Sequence, residues 1–213
     1  MLHGDVQGAY SMGVEMHDLW SEHVFEMYGA PVFQYDCTVD RPAMACAGCE
    51  FFPACIKGEN NLGGIAGKTS WTLEEAVIQS GLAQAPPRSL LMKMDIEGGE
   101  WPALGTASNM TLSRFRQMSI EFHHLSHVAR HEEFLQTMRR LIGAGFKVIH
   151  IHGNNYAGMY TSGPFSIPDV IEVTMDASAF DEPACVPEEM RLDLDAANNA
   201  LVADLPVAHV PAL

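Results

Sequence analysis

The sequence predicts an α/β fold built on a mostly parallel sheet, and three observations carry that prediction. Short apolar runs alternate with amphipathic segments along the chain, the pattern of strands separated by helices. One run, Leu90 to Ile96, is dense in apolar residues on both faces, as a strand in the middle of a parallel sheet must be. Two carboxylates, Asp36 and Asp95, follow strand-like runs, which puts polar chemistry at the carboxyl edge where open α/β sheets bind ligands.

The elements follow in order. Ala9 to Val14 is a short apolar run ending at Glu15, the first strand. Trp20, Val24, Met27 and Tyr28 then recur at helical spacing and stop at Gly29, a residue suited to closing a helix. Pro31 to Tyr35 is a second strand with Asp36 at its end, which completes a β-α-β unit. From about 37 to 69 the chain is rich in Gly, Pro and Cys, with one short strand near Phe51 and Phe52; this reads as an irregular insertion, a cap or lid near a site.

Thr72 with Glu75 makes a capping box for a helix whose buried stripe is Leu73, Ala76 and Val77 and whose end lies near Gly81. Pro86-Pro87 resets the chain to an extended path before the central strand. Another strand, Gln117 to Phe122, runs into His123-His124. A helix near His131 to Ile142, a strand at Phe146 to Ile151 and a last strand at Val170 to Thr174 complete the pattern.

Composition sets bounds on function. A chain of 213 residues with 47% hydrophobic content can bury one core without staples. Its net charge of −15 repels phosphate backbones and anionic lipid headgroups, so nucleic acid and membrane surfaces are expected to be absent from its partners. No apolar run approaches the roughly 20 residues of a membrane span, and Met1 to Asp5 lacks the basic and apolar stretches of a signal peptide. A soluble, cytoplasmic chain is the expectation. Five cysteines, an odd count, predict reduced thiols or a local metal clip rather than a disulfide framework.

The block Lys93-Met94-Asp95-Ile96-Glu97-Gly98-Gly99-Glu100-Trp101 resembles the strand end of the FkbM-like class of S-adenosylmethionine-dependent methyltransferases. Further blocks look similar to one subgroup of that class: Tyr10 to Gly13, Gln34 to Asp36, Ile120 to His123, His150 to Tyr156, Pro168 to Thr174, and the C-terminal Leu192-Asp193, Asn198-Asn199 and Asp204 to Pro206. The resemblance spans almost the whole chain. It implies a Rossmann-like class I methyltransferase fold in a single domain over 1–213, a seven-stranded sheet with its last strand antiparallel and helices on both faces. It also implies O-methylation of a small-molecule or sugar-like acceptor. Gly13 and Glu15 match the loop that meets the cofactor's methionine part, and Asp36 matches the acid that accepts hydrogen bonds from the ribose. Where the family carries several glycines in the first loop, this chain has Gly13 alone between Met12 and Val14, and a catalytically silent binding module is the alternative this feature favours. The sequence also starts almost at its first strand, without the helix that often precedes it in such enzymes, and reads as shortened there.

The candidate chemistry is compact. Methyl transfer from a sulfonium is an in-line displacement that needs a cofactor cradle and one base. Asp95, at the end of the central strand, is the candidate for orienting cofactor or acceptor; its competing role is to cap the next helix, with Glu97 and Glu100 as first-turn acids. Strand alternation sends Glu121 and His123 to one face and His124 to the other, so Glu121 or His123 is the candidate base. His150 and His152 share a strand face, and with Glu121 and His123 from a neighbouring strand they are candidates for a divalent-metal site and hence a metal-dependent enzyme. Cys46 and Cys49, a CxxC pair, with Cys55 and either Cys37 or a histidine, are candidates for a structural zinc site. Neither Gly63-Gly64 nor Gly98-Gly99 is followed by the Lys-Ser/Thr of a Walker loop, which excludes nucleotide hydrolysis of that type. The acidic stretch from Asp176 to Asp195 reads as a solvated face or a cover over the sheet edge.

Overall fold

The computed structural model describes residues 6–14, 18–41, 46–162, 165–177 and 196–205. Strands β1 (Gly8–Met12), β2 (Val32–Tyr35), β3 (Cys49–Phe52), β6 (Leu90–Met94), β7 (Phe115–Phe122), β8 (Lys147–Gly153) and β11 (Ile171–Asp176) form one sheet in the order β3-β2-β1-β6-β7-β11-β8. All neighbours are parallel except β11, which runs antiparallel to both β7 and β8. With its helices, this is the Rossmann-like class I methyltransferase fold.

Side-chain alternation along the inner strands explains the layers. Ala9, Val32 and Leu91 face α1 (Leu19–Tyr28) through Val24. Tyr10, Met12, Phe33, Tyr35, Leu90, Met92 and Met94 face the opposite way, into the larger core. That core is covered by α2 (Leu73–Gln79), α3 (Glu100–Thr106) and α5 (His131–Gly143), which contribute Leu73, Ala76, Val77, Trp101, Leu104, Phe134 and Leu141. A four-residue α4 (Asn109–Leu112) precedes β7.

The local signals act as physical chemistry requires. Gly29 takes φ 64° and its N–H reaches back to the Phe25 carbonyl, closing α1. The Thr72–Glu75 capping box is formed in both directions at α2. Of the residues at helical spacing in α1, Val24 is buried and Met27 is exposed.

The described residues of the segment 37–69 carry more regular structure than its composition implies. β3 is the edge strand of the main sheet, parallel to β2. β4 (Cys55–Lys57) pairs with β5 (Ser70–Thr72) in a separate parallel pair. β9 (Met159–Ser162) and β10 (Phe165–Pro168) form a third, antiparallel unit. The cysteine expectation is corrected here. Cys37 is bonded to Cys55 and Cys46 to Cys49, so these four sulfurs are spent in disulfides and are not thiolate ligands for zinc. No helix among the described residues is long and apolar enough to cross a membrane. The expected acidic cover from 176 to 195 lies, beyond Ala177, outside the described residues, as do Leu192-Asp193 and Pro206.

Candidate functional site

The sheet order reverses at β1, whose neighbours are β2 on one side and β6 on the other; such a switch point opens a crevice beyond the carboxyl ends of the strands. Gly13 follows β1, Asp36 follows β2 and Asp95 follows β6, and all three line one cavity at that edge. Gly13 is held at φ +79°, and a Cβ there would sit 1.6 Å from the Asp95 carbonyl oxygen, so only glycine fits. The Asp95 N–H donates to the Met12 carbonyl (2.8 Å), and Lys93 Nζ donates to the Gly13 carbonyl (2.9 Å). The loops after β1 and β6 are thereby locked together.

Asp36 is buried. Its Oδ2 accepts from the Val14 N–H at 3.1 Å, and its Oδ1 accepts from the Thr38 N–H at 2.8 Å and the Thr38 hydroxyl at 2.6 Å. These donors fix the carboxylate at the edge of the cavity. The disulfide pair Cys37 and Cys55, with Ala54, Ile56, Gly63 and Ile65, adds the apolar wall of the cavity.

A second cavity on the same edge is lined by Asp95, Glu97, Glu121, His123 and Asn154. His123 is its fixed point. Its N–H donates to Glu100 Oε1 (2.7 Å), its Nδ1 lies 3.1 Å from that oxygen, and its carbonyl accepts from Trp101 Nε1 (2.8 Å). Glu100 is fully buried, and its second oxygen accepts from the Gly98 N–H (2.9 Å). With Nδ1 engaged, Nε2 points into the cavity, where Glu121 Oε1 and Glu97 Oε2 stand at 3.5 Å and Asp95 Oδ1 at 3.7 Å.

Glu97 and His124 both take positive φ (57° and 65°), strain of a kind held at functional sites by the surrounding structure. His124, beyond the end of β7, stacks on His127 at 5.0 Å with its ring 6.0 Å from that of His123. Burial opposes a charge on His123, yet the carboxylates of Glu100, Glu121 and Glu97 outweigh it and raise its pKa to about 9. Burial, reinforced by Asp95, raises Glu121 to about 7 against the hydrogen bond from Asn154 Nδ2. Burial also raises Asp95, against the pull of Lys93 and His123.

The structure therefore brings Gly13, Asp36, Asp95, Glu121 and His123 to one edge. Glu15 lies outside the described residues. His150 and His152 are not part of the cluster, which corrects the expected four-residue site: β11 inserts between β7 and β8, so two strand spacings, roughly 10 Å, separate the histidines of β8 from β7. His150 faces a third cavity with Lys93, Glu121 and Glu172. His152 instead binds Glu172 through Nδ1 (3.2 Å) and Asp204 through Nε2 (3.1 Å). Residue-type reasoning missed the parts played by Lys93, Glu97, Glu100 and Asn154. The first three lie in the block Lys93 to Trp101, and Asn154 in the block His150 to Tyr156, so those blocks were the available signal.

No protein-family model and no curated protein matches the chain. Among solved structures it is similar to the fibrillarin pre-rRNA processing protein of Methanococcus jannaschii, at 12% identity over 81% of this chain and 67% of that one, with a TM-score of 0.43. A likeness at this level assigns neither reaction nor substrate.

Proposed function

We propose that the chain is an S-adenosylmethionine-dependent methyltransferase of the FkbM-like kind, acting on an oxygen of a small-molecule or sugar-like acceptor. The observation that carries this reading is the convergence of Gly13, Asp36 and Asp95 on one cavity at the switch point of the sheet. The resemblance of the block Lys93 to Trp101 supports the family. The net charge of −15, with Asp95, Glu97 and Glu121 lining the second cavity, supports a small acceptor over a nucleic acid.

The residues fit the cofactor: Gly13, Asp36 and Asp95 line one cavity at the switch point, and Asp36 presents a carboxylate there for ribose hydroxyls. When bound, the cofactor supplies a methyl group on a sulfonium. Asp95, which borders both cavities, would orient the acceptor against it, and Glu121, or His123 above its raised pKa of about 9, would take the hydroxyl proton during methyl transfer.

Titration calorimetry of the full chain with S-adenosylmethionine tests the reading. Saturable heat that Asp36→Ala weakens at least tenfold is expected. A folded wild-type chain giving no heat would reduce the protein to a binding module that has the fold alone.

A further inference from the structure

The Asp95, Glu121 and His123 cluster has an organisation that proton transfer does not require. We propose that these three side chains hold a divalent first-row cation, with free coordination positions open to the second cavity, where two neighbouring oxygens of the acceptor would chelate it. The proposal deepens the methyltransferase reading and rests on it for the identity of the acceptor, not for the ion.

The ligand atoms of the three residues all lie within 4.8 Å of one another. Two ligands on one ion at about 2.1 Å are at most about 4.2 Å apart. His123 Nε2 already meets that limit with Glu121 (3.5 Å) and Asp95 (3.7 Å), so closure onto an ion needs only small shifts of two side chains.

His123 is 5% exposed, and its Nε2 points into the cavity with carboxylate oxygens of Glu121 and Glu97 at 3.5 Å and of Asp95 at 3.7 Å as its partners. Its Nδ1 is held by the fully buried Glu100, the carboxylate–histidine arrangement that fixes the tautomer of a metal-ligating imidazole. Asn154 Nδ2 donates to Glu121 Oε1 at 2.7 Å and orients that carboxylate in the same way.

Two carboxylates and one imidazole suit manganese or zinc better than a softer ion. Three protein ligands leave further positions free on a six-coordinate ion. Glu97 Oε2, 3.5 Å from Nε2 on the exposed side, stands at the mouth of those positions. An acceptor with two adjacent oxygens, a vicinal diol or a hydroxy acid, would fill two of them; with the ion bound, Glu121 and His123 serve as ligands instead of bases, and the ion stabilises the oxyanion left when the hydroxyl proton departs to solvent.

The test uses the full chain, freed of metal by a chelator and titrated with Mn²⁺ alone under electron paramagnetic resonance. The proposal expects one saturable ion per chain, an imidazole-nitrogen coupling in the spin-echo spectrum, at least tenfold weaker binding in Asp95→Asn and Glu121→Gln, and unchanged binding in His152→Ala. Absence of saturable binding, absence of the nitrogen coupling, or loss on His152→Ala in place of Glu121→Gln would overturn it. The nitrogen coupling is read on the wild-type protein, so it decides the matter even where a variant fails to fold. Calorimetry with S-adenosylmethionine separates the two readings: cofactor heat without Mn²⁺ binding removes the ion alone, and Mn²⁺ binding without cofactor heat removes the methyltransferase and leaves the ion.

Discussion

Two residues support most of the site's geometry. Glu100 satisfies two backbone N–H groups and one imidazole nitrogen from a position with no solvent contact. Its truncation strands buried donors at about 1–3 kcal/mol each, so Glu100→Ala should lower the urea-unfolding free energy by about 3 kcal/mol or more. Glu100→Gln, which keeps shape and some acceptors, should cost less. Gly13 is the second: alanine there meets both a left-handed φ and the Asp95 carbonyl. Gly13→Ala is expected to destabilise by about 2 kcal/mol or more in thermal melts and to weaken cofactor heat at least tenfold. The sequence marked Gly13 as the cofactor-loop match, whereas the Asp95 carbonyl that demands glycine there is visible only in space. The burial of Glu100 could not be read from the sequence, because an acid in a first helical turn normally faces water and only the return of β7 encloses it.

Among elements, those with a strong period were legible and those below four residues were not. β6 and β1 announced themselves by apolar runs, and α2 by its capping box. β4 and β5, three residues each, carry no period, and their pairing is visible only in space. The segment 196–205 is fastened by side chains: His152 binds Asp204 and Glu172, Asn198 binds Glu172, and Asn155 holds Asn199 and Val202. Burial works against charge on His152, but Asp204 and Glu172 outweigh it, so its pKa stands above the ordinary 6.5; that of Asp204 is lowered below 3.8, chiefly by the same contact. The signs give a window. The histidine's contribution is complete below pH 6.5 and fades as pH rises through the raised folded value, whereas that of Asp204 fades as pH falls below 3.8. Amide exchange in 196–205, corrected for intrinsic rates, should therefore be slowest between those limits and quicken toward alkaline pH. His152→Ala should abolish the alkaline limb.

Over the whole molecule, the fold class and the convergence of three strand ends were legible, because a parallel sheet must place β1, β2 and β6 termini on one edge. The order of the far strands was not: β11 is the last strand among the described residues yet separates β7 from β8, a tertiary choice that no period encodes, which keeps His152 apart from Glu121 and His123 and leaves His150 sharing only a side cavity with Glu121. The cysteines were misread for a similar reason, since spacing alone does not say which sulfur meets which. The Cys37–Cys55 bond spans 18 residues, a closure worth about 3 kcal/mol in chain entropy, so reduction or Cys55→Ser should lower the unfolding free energy by about that amount. Chemical denaturation with and without dithiothreitol measures it. The same bond joins the loop bearing Asp36 to the wall at Ala54 to Ile56. The oxidation history of a sample thus becomes a hidden variable: air-kept and thiol-kept batches are expected to differ in ligand affinity, because reduction frees one wall of the cavity from the other.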